Sequence, residues 1–171
     1  MNCFRTRGKK GQKHTDPADP PRRRANNRRG HGTYASDRPP IVGTVGRHSG
    51  KVRLRIVKRT DGKTLRKHVQ TFTRPRADVN TDEWSGYTQL QRKHATVAHG
   101  QHEWARDDDG DGVREVHVNT IEGLWTGVRN FLRPFRGVHK RNLSQYVAVG
   151  EFSINRKKVT PKFISSLVAL H

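Results

Sequence analysis

The chain has 171 residues, with 35 Lys and Arg against 15 Asp and Glu and a formal net charge of +20. Its single cysteine, Cys3, excludes a disulfide within the chain and a cysteine-cluster zinc site. No apolar stretch approaches the ~18 residues that a membrane span requires, and no signal peptide is recognisable. Positive charge of this size favours a polyanionic partner, because binding releases condensed counterions. We therefore expect a nucleic-acid-binding protein of a reducing, cytoplasmic compartment, with no membrane contact.

Residues 1–39 form a basic segment that is rich in proline. Residues 1–40 carry eleven Lys and Arg against three Asp, and arginines follow one another at 22–24 and 28–29. This composition offers little apolar surface to bury. We expect a basic, partly disordered N-terminal arm that contacts nucleic acid, with a plain disordered tail as the alternative.

A β-hairpin is predicted directly after the arm. Residues 41–45 are an apolar run, residues 46–50 have the composition of a turn, and residues 51–57 alternate basic and apolar side chains. A helix over 63–71 and a brief strand over 77–79 that ends at Asp82 follow. The helix would bury Leu65, Val69 and Phe72.

The second half of the chain predicts further helices and one strand. Trp84, Tyr87 and Leu90 indicate a helix over 83–92, and residues 95–98 indicate a strand. Residues 100–114 are polar and must form a loop. A second helix, over 120–133, is supported by apolar residues at 3.6-residue spacing and stopped by a proline, and a last helix covers 143–152. Together these elements predict an α/β domain over 40–155, with a mixed sheet flanked by helices, and a C-terminal tail or helix over 156–171.

Two carboxylates are candidates for a divalent metal site. Asp82 follows a strand and Glu122 lies near the start of the helix over 120–133. Each has a structural alternative: Asp82 could cap a following helix, and Asn119 to Glu122 has the form of a capping box. Arg129 lies two turns beyond Glu122 on the same helix face, where it could clamp a phosphate, and Arg133 lies one turn further. Spacing alone leaves metal ligand and cap equally open.

An acidic loop resembles the start of a calcium-binding EF-hand. The matching positions are Asp107, Asp109, Asp111 and Gly112. The twelfth position, however, is Val118, where a bidentate Glu is required. We expect a solvated loop instead.

The ten histidines have no metal-binding spacing. His94, His99 and His102 fit no zinc helix motif. His117, five residues before Glu122, is the histidine we expect nearest to a metal or phosphate, with a polar loop residue as the alternative.

Several segments together resemble the insertion-sequence transposases of the DDE superfamily, specifically the ISXO-like group. The most specific is the run His-Val-Asn-Thr-Ile-Glu-Gly-Leu-Trp at 117–125. The others are 38–43, 81–84 with Tyr87, 129–133, and 137–140 with Tyr146. The resemblance implies an RNase H-like fold that holds two Mg²⁺ or Mn²⁺ ions and catalyses phosphodiester cleavage and strand transfer at transposon ends. It also implies transposon and target DNA as partners, a nucleoid location and a possible homo-oligomer.

By this resemblance, Asp82 is the second acidic ligand and Glu122 the third. Asn119 and His117 are supporting residues, and Arg129 occupies the basic position that follows. The residues expected to bind DNA are Arg22, Arg23, Arg24, Arg129, Arg133, Arg136, Lys140 and Arg141.

The chain departs from the family at its beginning. Relatives place their first catalytic Asp just before the stretch here seen at 8–11, yet residues 1–7 contain no Asp, and the zinc-ribbon and helix-turn-helix regions are absent. If a G precedes them, the codons of residues 1–8 read in the neighbouring frame can encode Asp-Glu-Leu-Phe-Gln-Asn-Ala-Gly. We therefore hypothesise an out-of-frame start at 1–7, which sequencing of the locus would refute if the upstream frame held no Asp codon.

Three functional alternatives follow from the residues and the resemblance. The first is a transposase catalytic domain that is incomplete and inactive without its first Asp. The second is a non-catalytic basic protein that binds nucleic acid, in which Asp82 and Glu122 are helix caps. The third is a metal-dependent nuclease that uses only part of the site.

Overall fold

The computed structural model describes residues 2–3, 32–36, 38–135 and 137–169. Most of the predicted basic arm, with Arg22, Arg23 and Arg24, lies outside the described residues, as does Arg136.

A three-stranded antiparallel sheet forms the first layer. Strands β1 (Asn2–Cys3), β2 (Pro40–Val45) and β3 (Val52–Ile56) lie in that order, with Ile41 opposite both Asn2 and Ile56. Alternate β3 side chains are buried and exposed, as expected of a strand with one face on the core. The predicted hairpin is confirmed.

Helix α1 (Gly62–Phe72) follows the hairpin, as predicted. The Asp61 carboxylate accepts a hydrogen bond from the backbone N–H of Thr64 at 2.8 Å, which satisfies one of the donors left open at a helix N-terminus. The helix buries Leu65, His68 and Val69, whereas Phe72 is only half-buried.

A parallel pair of strands carries the second part of the fold. Strands β4 (Val79–Asp82) and β5 (His94–Val97) pair in parallel with Asp82 opposite Val97. Both predicted strands are confirmed.

The helix predicted over 83–92 is wrong, because only a 3₁₀ turn, Ser85–Tyr87, forms there. Gly86 at its centre packs directly on α1: a Cβ added to it would lie 2.6 Å from Cδ1 of Leu65. Tight docking through a glycine, which also has poor helix propensity, replaces the regular helix.

A short antiparallel hairpin interrupts the segment that was predicted to be a loop. Strands β6 (Ala105–Arg106) and β7 (Val116–His117) pair across the acidic loop. Two-residue strands are too short to produce a recognisable sequence pattern.

Helices complete the fold. Helices α2 (Asn119–Leu132) and α3 (Leu143–Asn155) confirm the two predicted ones. A further helix, α4 (Pro161–Val168), is preceded by its N-cap residue Thr160, whose hydroxyl accepts a hydrogen bond from the N–H of Phe163. Helix α3 covers the open edge of β3. Its Asn155 side chain exchanges two hydrogen bonds with the backbone of Val52, at 2.8 and 2.9 Å, which protects an edge strand from pairing elsewhere.

The main hydrophobic core lies between the antiparallel sheet and helices α2 and α3. It consists of Ile41, Val52, Leu54, Trp125, Val128, Leu132, Val138, Leu143 and Val147. A smaller cluster under the parallel strands consists of Val97, Val116 and Val118. Ile121 packs against both clusters, so α2 joins the two parts of the fold.

The described residues thus form a mixed α/β fold with antiparallel and parallel strand pairs flanked by helices. These pairs form three small sheets rather than the one mixed sheet predicted. Within the described ranges, no helix combines the length and the apolar character needed to cross a membrane.

Candidate metal and nucleic-acid site

Asp82 is the last residue of β4 and is half-buried. Its Oδ1 accepts a hydrogen bond from the backbone N–H of Trp84 at 3.3 Å, so the carboxylate orders the turn that follows the strand. Burial, and to a lesser extent the charge of Asp82, raises the pKa of Tyr87.

The turn after β5 lies beside Asp82 and is fixed by two carboxylates. Glu83 accepts hydrogen bonds from the backbone N–H groups of His99 and Gly100, at 2.5 and 3.0 Å, and these donors, Gly100 foremost, lower the pKa of Glu83. Glu103 accepts from the N–H of Ala98 at 2.8 Å. These two carboxylates therefore hold the backbone from Ala98 to Gly100 in place.

Glu122 lies in the first turn of α2, and about half of its side chain, 52%, is exposed. The helix begins at Asn119 with Val118 at the cap position, and no side chain caps it. The capping box considered for Asn119 to Glu122 is therefore wrong. The Glu122 carboxylate instead faces His99, with Oε1 at 3.4 Å from Nε2.

His99 lies between the end of β4, which carries Asp82, and the helix that carries Glu122. It follows β5 by two residues, and β5 runs parallel to β4, with Val97 opposite Asp82. The imidazole packs against Trp104 with ring centroids 5.1 Å apart. Contacts therefore run from Glu83, next to Asp82, through the turn at His99 to Glu122 on α2. Among the described residues, the ligand atoms of Asp82, His99 and Glu122 do not form a group within 4.8 Å of one another, as those of the acidic loop do.

His117, the histidine expected near the site, is placed differently. Its carbonyl oxygen accepts a hydrogen bond from the guanidinium of Arg47 at 2.9 Å, and burial, followed by the charge of Arg47, lowers the pKa of its ring. Within the described residues, no hydrogen bond or ion pair joins the His117 ring to Asp82 or Glu122.

The basic residues of α2 extend away from Glu122. Arg129 donates a hydrogen bond to the hydroxyl of Thr126 at 3.2 Å, and both Arg129 and Arg133 are exposed on the side of the helix that carries Glu122. Lys140 lies further off, with Nζ 5.2 Å from the centre of the Tyr34 ring, and Arg141 is exposed. An anion bound along α2 would meet Arg129 and Arg133 first.

The acidic loop is a separate feature. Carboxylate oxygens of Asp107, Asp109 and Glu115 lie within 4.8 Å of one another. Asp107 accepts hydrogen bonds from the backbone N–H groups of Gly110 and Gly112, at 2.6 and 2.8 Å, and these bonds lower its pKa. Val118, the twelfth position of the EF-hand comparison, is buried and offers no ligand, as the sequence predicts.

Sequence reasoning therefore missed His99, because it tested the histidines only against helical zinc motifs. The available signal was its place just after the strand predicted over 95–98. Side chains that follow neighbouring parallel strands meet at one sheet edge, which is where sites form in open α/β sheets.

Two comparisons with known proteins identify the family of this chain. The sequence profile of the ISXO2-like transposase domain matches residues 10–155. An uncharacterised protein in the transposable element ISH50 of Halobacterium salinarum is 31% identical over 143 residues, which is 81% of this chain and 46% of that protein. The chain thus spans about half the length of the curated relative that it matches. Since the profile covers most of its residues, the chain belongs to the ISXO2-like transposase domain family.

Proposed function

We propose that this chain is the catalytic domain of a DNA transposase, in which Asp82 and Glu122 hold divalent metal at the end of the parallel strands. The family match over residues 10–155 is the observation that carries the proposal. An RNase H-like fold is part of it: three antiparallel strands, a helix, a parallel strand pair and a long helix follow one another in a compatible order.

The donor types at Asp82, Glu122 and His99 suit Mg²⁺ or Mn²⁺. Both ions take carboxylate oxygens, and Mn²⁺ also accepts imidazole nitrogen. His99 supplies an imidazole beside Glu122, with Nε2 at 3.4 Å from Oε1 of that carboxylate. When bound, such ions supply activation of the attacking oxygen and neutralisation of the leaving one.

The chain's own residues have three tasks in this proposal. Asp82 and Glu122 present carboxylates from two different elements, one pinned by its bond to Trp84 and the other facing His99. Arg129 and Arg133, on the Glu122 side of α2, hold the phosphodiester, where a guanidinium can form paired hydrogen bonds. Tyr87, whose pKa is raised by burial and then by the charge of Asp82, contributes a phenol from the turn that follows Asp82.

Two carboxylates are fewer than the three that the resemblance implies, so we expect the 171-residue chain to bind metal and DNA but to transfer strands poorly. The test is binding of a duplex oligonucleotide by fluorescence anisotropy, with and without Mn²⁺, for the wild type and Asp82→Asn. Mn²⁺ should strengthen DNA binding by the wild type and not by the variant. Equal Mn²⁺ effects on both proteins would contradict the metal site.

Strand cleavage is tested with a supercoiled plasmid in Mg²⁺ or Mn²⁺. Little nicking is expected. Robust nicking that Asp82→Ala abolishes would show that two carboxylates suffice, as in the partial-site nuclease. A homo-oligomer and a nucleoid location belong to the same proposal, and sedimentation with and without DNA tests the first.

The second candidate is a non-catalytic protein that binds nucleic acid through charge. The bond from Trp84 N–H to Asp82, which is a structural role, and the net charge of +20 favour it. It predicts DNA binding with a steep salt dependence that neither Mn²⁺ nor Glu122→Gln changes.

A further inference from the structure

We propose that His99 is a metal ligand of this site, sharing one divalent ion with Glu122 through its Nε2 atom. The inference rests on the proposed function and adds to it a nitrogen donor from the turn after β5. Its consequence is a site that prefers Mn²⁺ or Co²⁺ over Mg²⁺.

The first argument is the geometry of the His99–Glu122 pair. Nε2 and Oε1 are 3.4 Å apart, within the range of an ion pair, yet Nε2 does not meet the geometry of a hydrogen bond to that oxygen. Two ligands of one ion, each at about 2.1 Å from it, stand roughly this far apart and point at the ion instead of at each other. The pair is therefore arranged as neighbouring ligands.

The second argument is the burial of the imidazole. Both ring nitrogens are inaccessible and make no hydrogen bond in the part of the chain that the structure describes, whereas 22% of the whole side chain is exposed. Nε2 has the Glu122 carboxylate at 3.4 Å, longer than a good hydrogen bond of about 2.9 Å, and a buried polar nitrogen so weakly paired is costly. A metal ion bound from the exposed, Glu122 side would satisfy Nε2.

The third argument is preorganisation. The His99 backbone N–H is held by Glu83, the neighbouring Ala98 N–H by Glu103, and the ring rests on Trp104. A ligand held by its surroundings needs little reordering to bind. Glu122 is the more mobile partner, since it extends from the first turn of α2 and is half exposed.

The alternative role for His99 is a simple ion pair, with a protonated imidazole opposite the Glu122 carboxylate. The two roles predict opposite results. A cation beside Glu122 competes with metal, so its removal would raise metal affinity. A ligand contributes to metal affinity, so its removal would lower it.

The experiment is a titration of the full chain with Mn²⁺, in which the electron paramagnetic resonance signal of free Mn²⁺ measures binding. The parent and all variants also carry Asp109→Asn, so that Mn²⁺ bound by the acidic loop does not contribute to the measured binding. The variants are His99→Ala and the similarly sized His99→Gln, with circular dichroism as the check on folding. The control is His102→Asn, an exposed histidine at positive φ, a conformation that Asn tolerates.

Both His99 variants should lose at least about ten-fold in Mn²⁺ affinity, with a smaller loss for Mg²⁺, while His102→Asn binds as the parent does. In the Co²⁺ complex, the parent should show a paramagnetically shifted, exchangeable imidazole N–H resonance that is missing from His99→Gln. Unchanged or raised Mn²⁺ affinity in both His99 variants, together with a loss in Glu122→Gln, would overturn the assignment of His99 and leave the proposed function standing. If Glu122→Gln also binds Mn²⁺ as the parent does, the metal site itself is refuted.

Discussion

The antiparallel and parallel parts of this fold differ in how they are held together. The antiparallel sheet packs under α2 and α3 with a core of nine buried hydrophobic residues, whereas the parallel strands cover a cluster of three valines. The candidate site lies on the second part, where carboxylates and backbone N–H groups fix the turns instead of apolar packing. Under the proposed function, stability and chemistry lie in different regions, and Ile121 of α2 packs against the hydrophobic clusters of both.

This division explains the two sides of α2. Its buried side supplies Trp125, Val128 and Leu132 to the main core, and its exposed side carries Glu122, Arg129 and Arg133. Substitutions on the first side should change the free energy of unfolding, and substitutions on the second should change ligand binding.

The largest effect is expected for Trp125→Ala. Its indole is 94% buried in the main core, and truncation of a buried aromatic residue costs about 3–5 kcal/mol. Urea denaturation followed by circular dichroism measures the loss. Asn130→Ala, on the exposed side of the same helix, is the control and should stay within about 0.5 kcal/mol of the wild type. A loss below 1 kcal/mol for Trp125→Ala would show that the main core lies elsewhere.

The next largest effect is a change of the unfolding free energy with pH, which arises from His68 on α1. Burial, reinforced by Arg55, lowers the pKa of His68 to about 4 from an ordinary 6.5. Above pH 6.5 the ring is neutral in both the folded and the unfolded chain, so the folded protein has its full stability. As the pH falls to 4, the unfolded chain takes up the proton more readily, and about 3 kcal/mol of the unfolding free energy is lost. Between pH 7 and pH 4, the unfolding free energy should therefore fall by about 3 kcal/mol more in the wild type than in His68→Leu. Parallel pH profiles would mean that His68 is not buried as described.

A glycine pair tests the packing of α2 on the sheet. A Cβ at Gly43 would lie 2.8 Å from Leu54 and 2.9 Å from Trp125, whereas a Cβ at Gly127 would have nothing within 4 Å. Gly43→Ala should cost about 1–3 kcal/mol through overpacking. Gly127→Ala should add up to about 1 kcal/mol through helix propensity. Thermal unfolding of both variants gives the comparison, and equal shifts would contradict the contact between β2 and α2.

The smallest effect on stability is expected for Glu122→Gln. The side chain is half exposed and caps nothing, so the unfolding free energy should change by about 0.5 kcal/mol or less. The same variant should lose its Mn²⁺-dependent gain in DNA affinity, as measured by anisotropy. A clear loss of stability with intact metal dependence would assign Glu122 a structural role.

The sequence predicts the parts of this fold that have long, regular patterns. The alternation at 51–57 and the 3.6-residue spacing in α2 specify their elements because side-chain periodicity alone determines which face is buried. The segment 83–92 has a similar apolar spacing but forms a 3₁₀ turn, because contact between Gly86 and α1 is a tertiary effect that local spacing does not contain.

The site is predictable only in part for the same reason. Asp82 and Glu122 are recognisable as candidates from their positions at element ends, and their assignment as ligands depends on the family resemblance. The place of His99 depends on the pairing of β4 with β5 and on how Glu83 and Glu103 hold the turn. The strand pairing and the Glu83 contact join residues 15 and 16 positions apart, so no local motif reports them.

The most direct test of the account is a double-mutant cycle on Mn²⁺ binding with Asp82→Asn, Glu122→Gln and the combined variant. If the two carboxylates share one site, each single variant loses most of the affinity and the combination loses little more, because the interaction they have in common is already gone. Losses that simply add, or no loss in either single variant, would contradict a shared metal site.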